Sequence, residues 1–184
     1  MNGDNTLETL ETDRLTLRML RQSDFDAYAE MCGDPEVMRY IGDGQPLARP
    51  LAWRKLALMV GHWSLRGYGL WAAEERSSGA FAGYVGFWNP EGWPGFELGW
   101  TLRRPFWGRG YATEGARAAL RVAFTQLGQP HVISLIQPEN AASIRLAGRL
   151  GERLVGSAEV MGKSALVYRI TREEWEAPNQ TLQM

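Results

Sequence analysis

The chain has 184 residues, 45% hydrophobic and 22% charged; at about 150 residues per domain that is one globular domain, able to bury roughly 70% of its unfolded surface without disulfides or a structural metal. Twenty Lys and Arg against 21 Asp and Glu leave a net charge of -1, a balance that argues against nucleic-acid binding, which rests on neutralising many phosphates. The single cysteine, Cys32, excludes an intramolecular disulfide and Cys-rich zinc sites, and its neighbours Phe25, Tyr28 and Met31 mark it as core.

The N-terminus lacks the basic residues and apolar run of a signal peptide, and no stretch reaches the roughly 20 apolar residues that cross a bilayer. We therefore expect a cytoplasmic protein with no membrane partner. Residues 1–12 form a polar segment, 13–175 the folded domain and 176–184 a tail. Asp13 to Met19 alternates apolar and polar residues, the period of a half-buried strand. Ser23, with Asp26 three residues on, is expected to cap a helix reaching Cys32. Pro50 suits the first turn of a second helix. Leu51, Leu56, Met59, Val60 and Trp63 recur along it at helical spacing, and Gly67 and Gly69 end it.

Three strand-like runs follow, Leu70 to Glu74, Phe81 to Trp88 and Phe96 to Leu102. Ser77-Ser78-Gly79 between the first two suits an antiparallel hairpin. The period then changes: Ala116, Ala119, Leu120, Ala123, Phe124 and Leu127 make one apolar helical stripe that stops at Gly128. His131 to Ile136 is a buried strand by composition, Ala141 to Leu150 a short helix closed by Gly151, and Leu154 to Met161 and Ser164 to Ile170 a strand pair turning at Gly162. Antiparallel strands around one strand-helix-strand unit give an α+β fold with a mixed, mostly antiparallel sheet flanked by helices.

The segment Phe106 to Thr113 sits between a strand and a helix. Its small residues let backbone N–H groups approach an anion, and the helix N-terminus adds a favourable dipole. Arg103, Arg104 and Arg109 add positive charge there, so a phosphate or pyrophosphate is the expected ligand. Gly108-x-Gly110 does not make a dinucleotide fold, because Thr113 stands where a third small residue is needed and no acid ends the next strand. Gly162-Lys163-Ser164 is no phosphate loop either, since Ser157 occupies the earlier glycine position and no helix follows.

Trp107-Gly108-Arg109-Gly110-Tyr111-Ala112 resembles the acetyl-CoA loop of the GNAT superfamily of N-acetyltransferases, Q/R-x-x-G-x-G/A, with Gly110 and Ala112 at its two small positions. Trp107 in place of Gln or Arg resembles the branch of the ribosomal-protein N-terminal acetyltransferases (RimJ/RimL-like). Glu11 to Arg18, Asp34 to Ile41, and Asn140-x-x-Ser143 followed by Leu150-Gly151 look like three further segments of that branch. The resemblance spans about residues 8 to 170 and implies a single-domain splayed sheet. Acetyl-CoA would lie as co-substrate between the strands ending near Leu102 and Ile136, with no metal. It also implies that Trp100, Thr101 and Leu102 pair with the pantetheine arm. Trp107, Gly108, Arg109, Gly110, Tyr111, Ala112 and Thr113 would cradle the pyrophosphate, and Asn140 would lie against the pantetheine.

Glu97 alternates with Phe96 and Leu98 onto the polar face of its strand. It is either a solvated glutamate or a general base for an attacking amine, and Gly99 beside it leaves room for substrate. Asn140 is also a favoured helix N-cap. The resemblance makes Ser143 a donor to the departing sulfur, because Ala147 stands where many of these enzymes carry an acidic tyrosine. Glu152 replaces the usual aromatic after Leu-Gly. Among the eight tryptophans, Trp93, in a Pro/Gly-rich loop, is the candidate acceptor wall or subunit contact. His62 and His131 are isolated, without triad partners. The expected activity is direct acetyl transfer to a primary amine, a protein or peptide N-terminus or a small molecule, by a monomer or homodimer. The alternative is a non-catalytic acyl-CoA-binding module.

Overall fold

The computed structural model of the protein describes residues 7–180. In chain order the elements are β1 (Thr9–Glu11), β2 (Leu15–Arg18), α1 (Phe25–Gly33), α2 (Pro35–Met38), α3 (Arg49–Arg66), β3 (Leu70–Glu75), β4 (Ala80–Trp88) and β5 (Glu97–Leu102). They continue with α4 (Tyr111–Thr125), β6 (His131–Ile136), α5 (Ala141–Leu150), β7 (Arg153–Val160), β8 (Lys163–Thr171) and α6 (Arg172–Gln180). One sheet of eight strands runs in the order β1-β2-β3-β4-β5-β6-β8-β7. Among the described residues the β5–β6 pair alone is parallel, which makes the fold the mixed α+β sheet expected from the sequence.

Side-chain alternation along the strands feeds two cores. Tyr28, Met31, Leu56 and Met59 of α1 and α3 pack on Ala72, Phe81 and Tyr84. The α4 stripe of Ala116, Ala119, Leu120 and Ala123, with Leu146 and Leu150 of α5, packs on Val85, Leu98 and Val132. Cys32 is buried among the first group.

Four local expectations differ from the fold. Part of the polar segment 1–12 is a strand, β1, whose Leu10 pairs with Leu17, while residues 1–6 lie outside the described residues. Three residues are too few to show a period; pairing with β2, the packing of Leu10 on the core and the Glu11–Arg76 ion pair hold them in place. The boundary drawn at 175 falls inside α6, and 181–184 lie outside the described residues. Ser23 does not cap α1. A short 3-10 turn (Gln22–Asp24) precedes the helix, and Asp24 accepts from the Arg21 N–H at 2.9 Å. Asp24 also grips Arg18 through two hydrogen bonds of 2.7 and 2.8 Å, and Arg18 reaches Glu74 on β3. Finally, one member of the expected α3 stripe departs from it: Leu56, Met59 and Trp63 are buried and Val60 packs on the core, while Leu51 in the first turn is 47% exposed.

The feature that positions the site is the parting of β5 from β6. They share one register position, Glu97 opposite Ile133, marked by the Ile133 N–H to Phe96 carbonyl bond of 3.0 Å. Beyond it the strands diverge, and the Leu98 carbonyl accepts the Ser134 hydroxyl at 2.9 Å.

Candidate active site

The parting opens into a cleft of about 580 Å³, walled by Trp100, Thr101 and Leu102 of β5, the loop up to Thr113, and Asn140, Ser143 and Arg149 around α5. Arg39, Tyr40 and Ile41, just after α2, face it from the other side. A second hollow of about 480 Å³ lies between Glu30, Asp34, Arg103 and Arg104. Its charges are already paired, Arg103 with Glu30 at 2.8 Å and Arg104 with Asp34 at 2.6 Å.

The loop is built to leave donors free. Trp107 donates its indole N–H to the Leu102 carbonyl at 2.7 Å, closing the end of β5. Gly108 and Gly110 both take left-handed backbone angles, φ 72° and 82°, which a side chain would oppose. Gly110 is the N-cap of α4 and no side chain caps this end. The first-turn amides of Tyr111, Ala112 and Thr113 are therefore orphan donors at the positive end of the helix dipole, where an anion is favoured. These are groups that fit a pyrophosphate.

Arg109 does not line this cleft. Its guanidinium pairs with Glu75 at 2.7 Å, and Glu75 also accepts from the hydroxyls of Ser78 and Tyr111, both at 2.6 Å. The Ser78 bond, then the Tyr111 bond and the Arg109 charge hold the Glu75 carboxyl below its ordinary range. Arg14 donates to the Arg109 carbonyl at 2.9 Å and pairs with Glu114 at 2.6 Å, bracing the loop from behind. With Arg103, Arg104 and Arg109 each neutralised by a carboxylate, the cations facing the cleft are Arg39 and Arg149. Arg149 comes within 3.4 Å of the Thr113 hydroxyl. Neither stood out in the sequence, because only the approach of α5 to the loop gives Arg149 its place.

At the α5 end, Asn140 accepts from the Ser143 N–H at 3.1 Å, the cap expected of it. Ser143 Oγ accepts the Trp100 indole N–H at 3.2 Å, which leaves its own proton to donate. Ala147 is fully buried. Tyr111 and Tyr40 line the cleft, but the Tyr111 hydroxyl is taken by Glu75.

Glu97, the first residue of β5, lies three residues before Trp100, where the cleft-lining part of the strand begins. Its Oε2 accepts the Trp93 indole N–H at 2.7 Å, so the loop tryptophan holds this carboxylate. Burial pushes Glu97 up to about 7, against hydrogen bonds from Trp93 and the Leu135 backbone. Gly99, next on that face, has nothing within 4 Å of where a Cβ would stand. His62 is structural: its Nδ1 lies 3.0 Å from the Tyr68 carbonyl, and Nε2 accepts from the Asn89 N–H at 3.2 Å. Among the described residues no cluster of His, Cys, Asp or Glu could hold a metal, and no helix is long and apolar enough to cross a membrane.

The parted parallel strands, with an uncapped helix N-terminus below them, are the architecture that the motifs implied. A family profile described as Acetyltransferase (GNAT) domain matches residues 14–153. The chain belongs to the GNAT acetyltransferase family. N-acetyltransferase p20 of Bacillus licheniformis is 31% identical over 78% of this chain and 82% of its own. FsC-acetyl coenzyme A-N(2)-transacetylase of Aspergillus fumigatus is 30% identical over 91% of this chain and 77% of its own. The crystal structure of an acetyltransferase from Agrobacterium tumefaciens superposes with a TM-score of 0.79 at 34% identity, covering 88% of this chain and 93% of that one. This acetyltransferase is accordingly an enzyme, an N-acetyltransferase of a family that uses acetyl-CoA, and the non-catalytic alternative is set aside.

Proposed function

We propose that this acetyltransferase moves the acetyl group of acetyl-CoA directly onto a primary amine in a ternary complex, with Glu97 as general base and Ser143 as donor to the departing sulfur. The observation that carries this is the uncapped α4 N-terminus and the free Ser143 proton on one cleft, with a carboxylate whose pKa lies near 7 at the register position where the strands part. The loop amides from Gly108 to Thr113, with Arg149 beside them, would take the pyrophosphate. The Trp100 backbone would pair with the pantetheine, Thr101 and Leu102 would line its path, and Asn140 would lie along it. Arg109 contributes its backbone, its side chain being spent on Glu75.

A protonated amine cannot attack, so its proton passes to Glu97, directly or through water. A base whose pKa lies near 7 is about half unprotonated at neutral pH and basic enough to take the proton. The amine nitrogen then bonds to the acetyl carbon, the carbon–sulfur bond breaks and its electron pair stays on sulfur, where Ser143 O–H is positioned to donate a hydrogen bond; the proton that the nitrogen sheds on becoming an amide ends on sulfur, so CoA leaves as the thiol. Phe96 and Leu98 turn their carbonyls toward β6. By the two-residue period of a strand the Trp100 N–H faces the opening as well, and it is the β5 donor for the developing oxyanion.

The Trp107-Gly-Arg-Gly-Tyr-Ala segment and the Asn140–Ser143 spacing favour the RimJ/RimL-like branch, and with it a protein or peptide α-amine. The name of the Aspergillus relative, an N(2)-transacetylase, favours a small-molecule amine. Both acceptors use the same chemistry. The test is thiol release from acetyl-CoA across peptides with free α-amines, amino acids and small amines, with the acetylated product weighed by mass spectrometry. Turnover with at least one free amine and none with its pre-acetylated form is expected. Stabilisation against heat by NAD but not by acetyl-CoA would refute the assignment.

A further inference from the structure

Glu152 has no place in the chemistry above, yet it is a buried carboxyl on which Glu97 acts. It follows the α5 cap Gly151, is 4% exposed, and its Oε2 has no hydrogen-bond partner. Its Oε1 lies 3.0 Å from Ser134 Oγ, which in turn lies 2.9 Å from the Leu98 carbonyl oxygen. The hydroxyl has one proton and two oxygen neighbours. If Glu152 were ionised, both neighbours would be acceptors and one contact would lack a hydrogen. If Glu152 is the acid, its O–H donates to Ser134 Oγ and Ser134 donates to Leu98. The lone Oε2 is then the carbonyl oxygen of a neutral group, not part of an anion stranded out of water.

Among the described residues no cation compensates an anion there. Arg149 of α5 points to Thr113, Arg117 of α4 donates to the Arg149 carbonyl, and Arg153 of β7 lies 3.9 Å from Glu174. Arg121 of α4, Arg145 of α5 and Arg169 of β8 are exposed. Tyr168 of β8 stands opposite Ser134 in register, and His131 is at the far end of β6 beside Thr171. Among the described residues Glu97 is the charge that acts on Glu152.

We infer that Glu152 is a positioning residue: as a neutral acid it orients Ser134 so that the hydroxyl holds the Leu98 carbonyl where β5 and β6 part, and it keeps a second negative charge away from Glu97. The link to catalysis rests on the assignment of Glu97 as the base. Ionising Glu152 swings the Ser134 proton onto the carboxylate and releases the Leu98–Gly99 peptide, next to the Trp100 N–H. Burial, tempered by Ser134 and reinforced by the Glu97 charge, holds Glu152 up to about 8, so the release belongs to alkaline pH.

Two measurements test this. Side-chain carboxyl carbons are followed by NMR in uniformly 13C-labelled protein, assigned through bonds, from pH 4 to 10. Glu152 should stay protonated through neutrality and titrate on the alkaline side, whereas titration below pH 5 overturns the inference whatever Glu97 does. Turnover is then compared with Glu152→Gln, whose amide donates to Ser134 at every pH. The ratio of wild-type to variant rates, in which the acceptor's own ionisation cancels, should fall by roughly threefold to tenfold above pH 8, the worth of one hydrogen bond. Ser134→Ala, which cannot hold Leu98, should abolish that pH dependence. A flat ratio for the wild type, with Glu152 shown protonated, removes the positioning role. Failure of the Glu97 assignment would appear separately, in Glu97→Gln.

Discussion

Glu97→Gln should make the enzyme slower and more stable at once, and both effects follow from one carboxyl. In the unfolded chain this group ionises near 4.5, whereas in the folded protein burial raises it to about 7. Between those values the folded state holds the proton more tightly, so stability is fully present below about 4.5 and declines as the pH rises to about 7. The difference of about two and a half units corresponds to about 3 kcal/mol at pH 8, an upper figure because Glu97 keeps some access to water. At pH 5 less than about 1 kcal/mol of it remains. Gln is neutral throughout and still accepts the Trp93 indole, so the variant should melt several degrees higher at pH 8, at about 2–4 °C per kcal/mol for a chain of this size. At pH 5 the two proteins should melt nearly together. Turnover should fall about 100-fold to 10,000-fold, the usual loss of a general base. The acid limb of the wild-type profile, about tenfold per pH unit below 7, should vanish. Calorimetric melts at the two pH values, beside initial rates from pH 5 to 9, decide it. Equal melting temperatures at pH 8 would refute the buried-charge argument, and unchanged turnover below the amine's pKa would return Glu97 to a structural role.

Gly110→Val forces a β-branched residue to φ 82° with its Cβ 3.3 Å from Arg14 Nη2. The loop should shift, and the acetyl-CoA Kd measured by titration calorimetry should rise more than about tenfold, the equivalent of about 1.4 kcal/mol; an unchanged Kd would place the pyrophosphate elsewhere. Ser143→Ala removes the donor to sulfur, so kcat should fall about tenfold with little change in acetyl-CoA affinity, and a change confined to KM would contradict the assigned role. Arg18→Met leaves Asp24 and Glu74 facing each other, Asp24 being 4% exposed. Denaturant unfolding should show a loss of about 3–5 kcal/mol, and a loss under 1 kcal/mol would show that water reaches the pair.

Periodicity and turn chemistry made most of the fold legible. The α4 stripe, the left-handed glycines Gly67, Gly151 and Gly162 at the ends of elements, and the alternation in β5 are local properties, set by residues within a few positions of one another. So was the loop from Trp107 to Thr113, because leaving helix amides free takes small residues at fixed places just before the helix. Asn140 was readable as a cap for the same reason. The electrostatics of the site were not readable. Three arginines looked like phosphate ligands in the sequence, yet Arg109 is neutralised by Glu75 and Arg103 by Glu30, partners brought in by β3 and α1. Arg149 faces the cleft because α5 packs beside α4. Trp93 holds Glu97, and burial raises Glu97 to about 7, because that stretch of chain folds over the carboxylate and shields it from most of the water. Glu152 could be seen only as an odd residue after Leu-Gly; that it is buried and shares one proton's worth of hydrogen bonding with Ser134 and Leu98 depends on three separate elements. Local sequence determines which backbone shapes are possible, through sterics and burial pattern. Which charges meet, and which are stripped of water, is decided only when distant segments pack, because Coulomb and desolvation energies depend on distance in space and not along the chain.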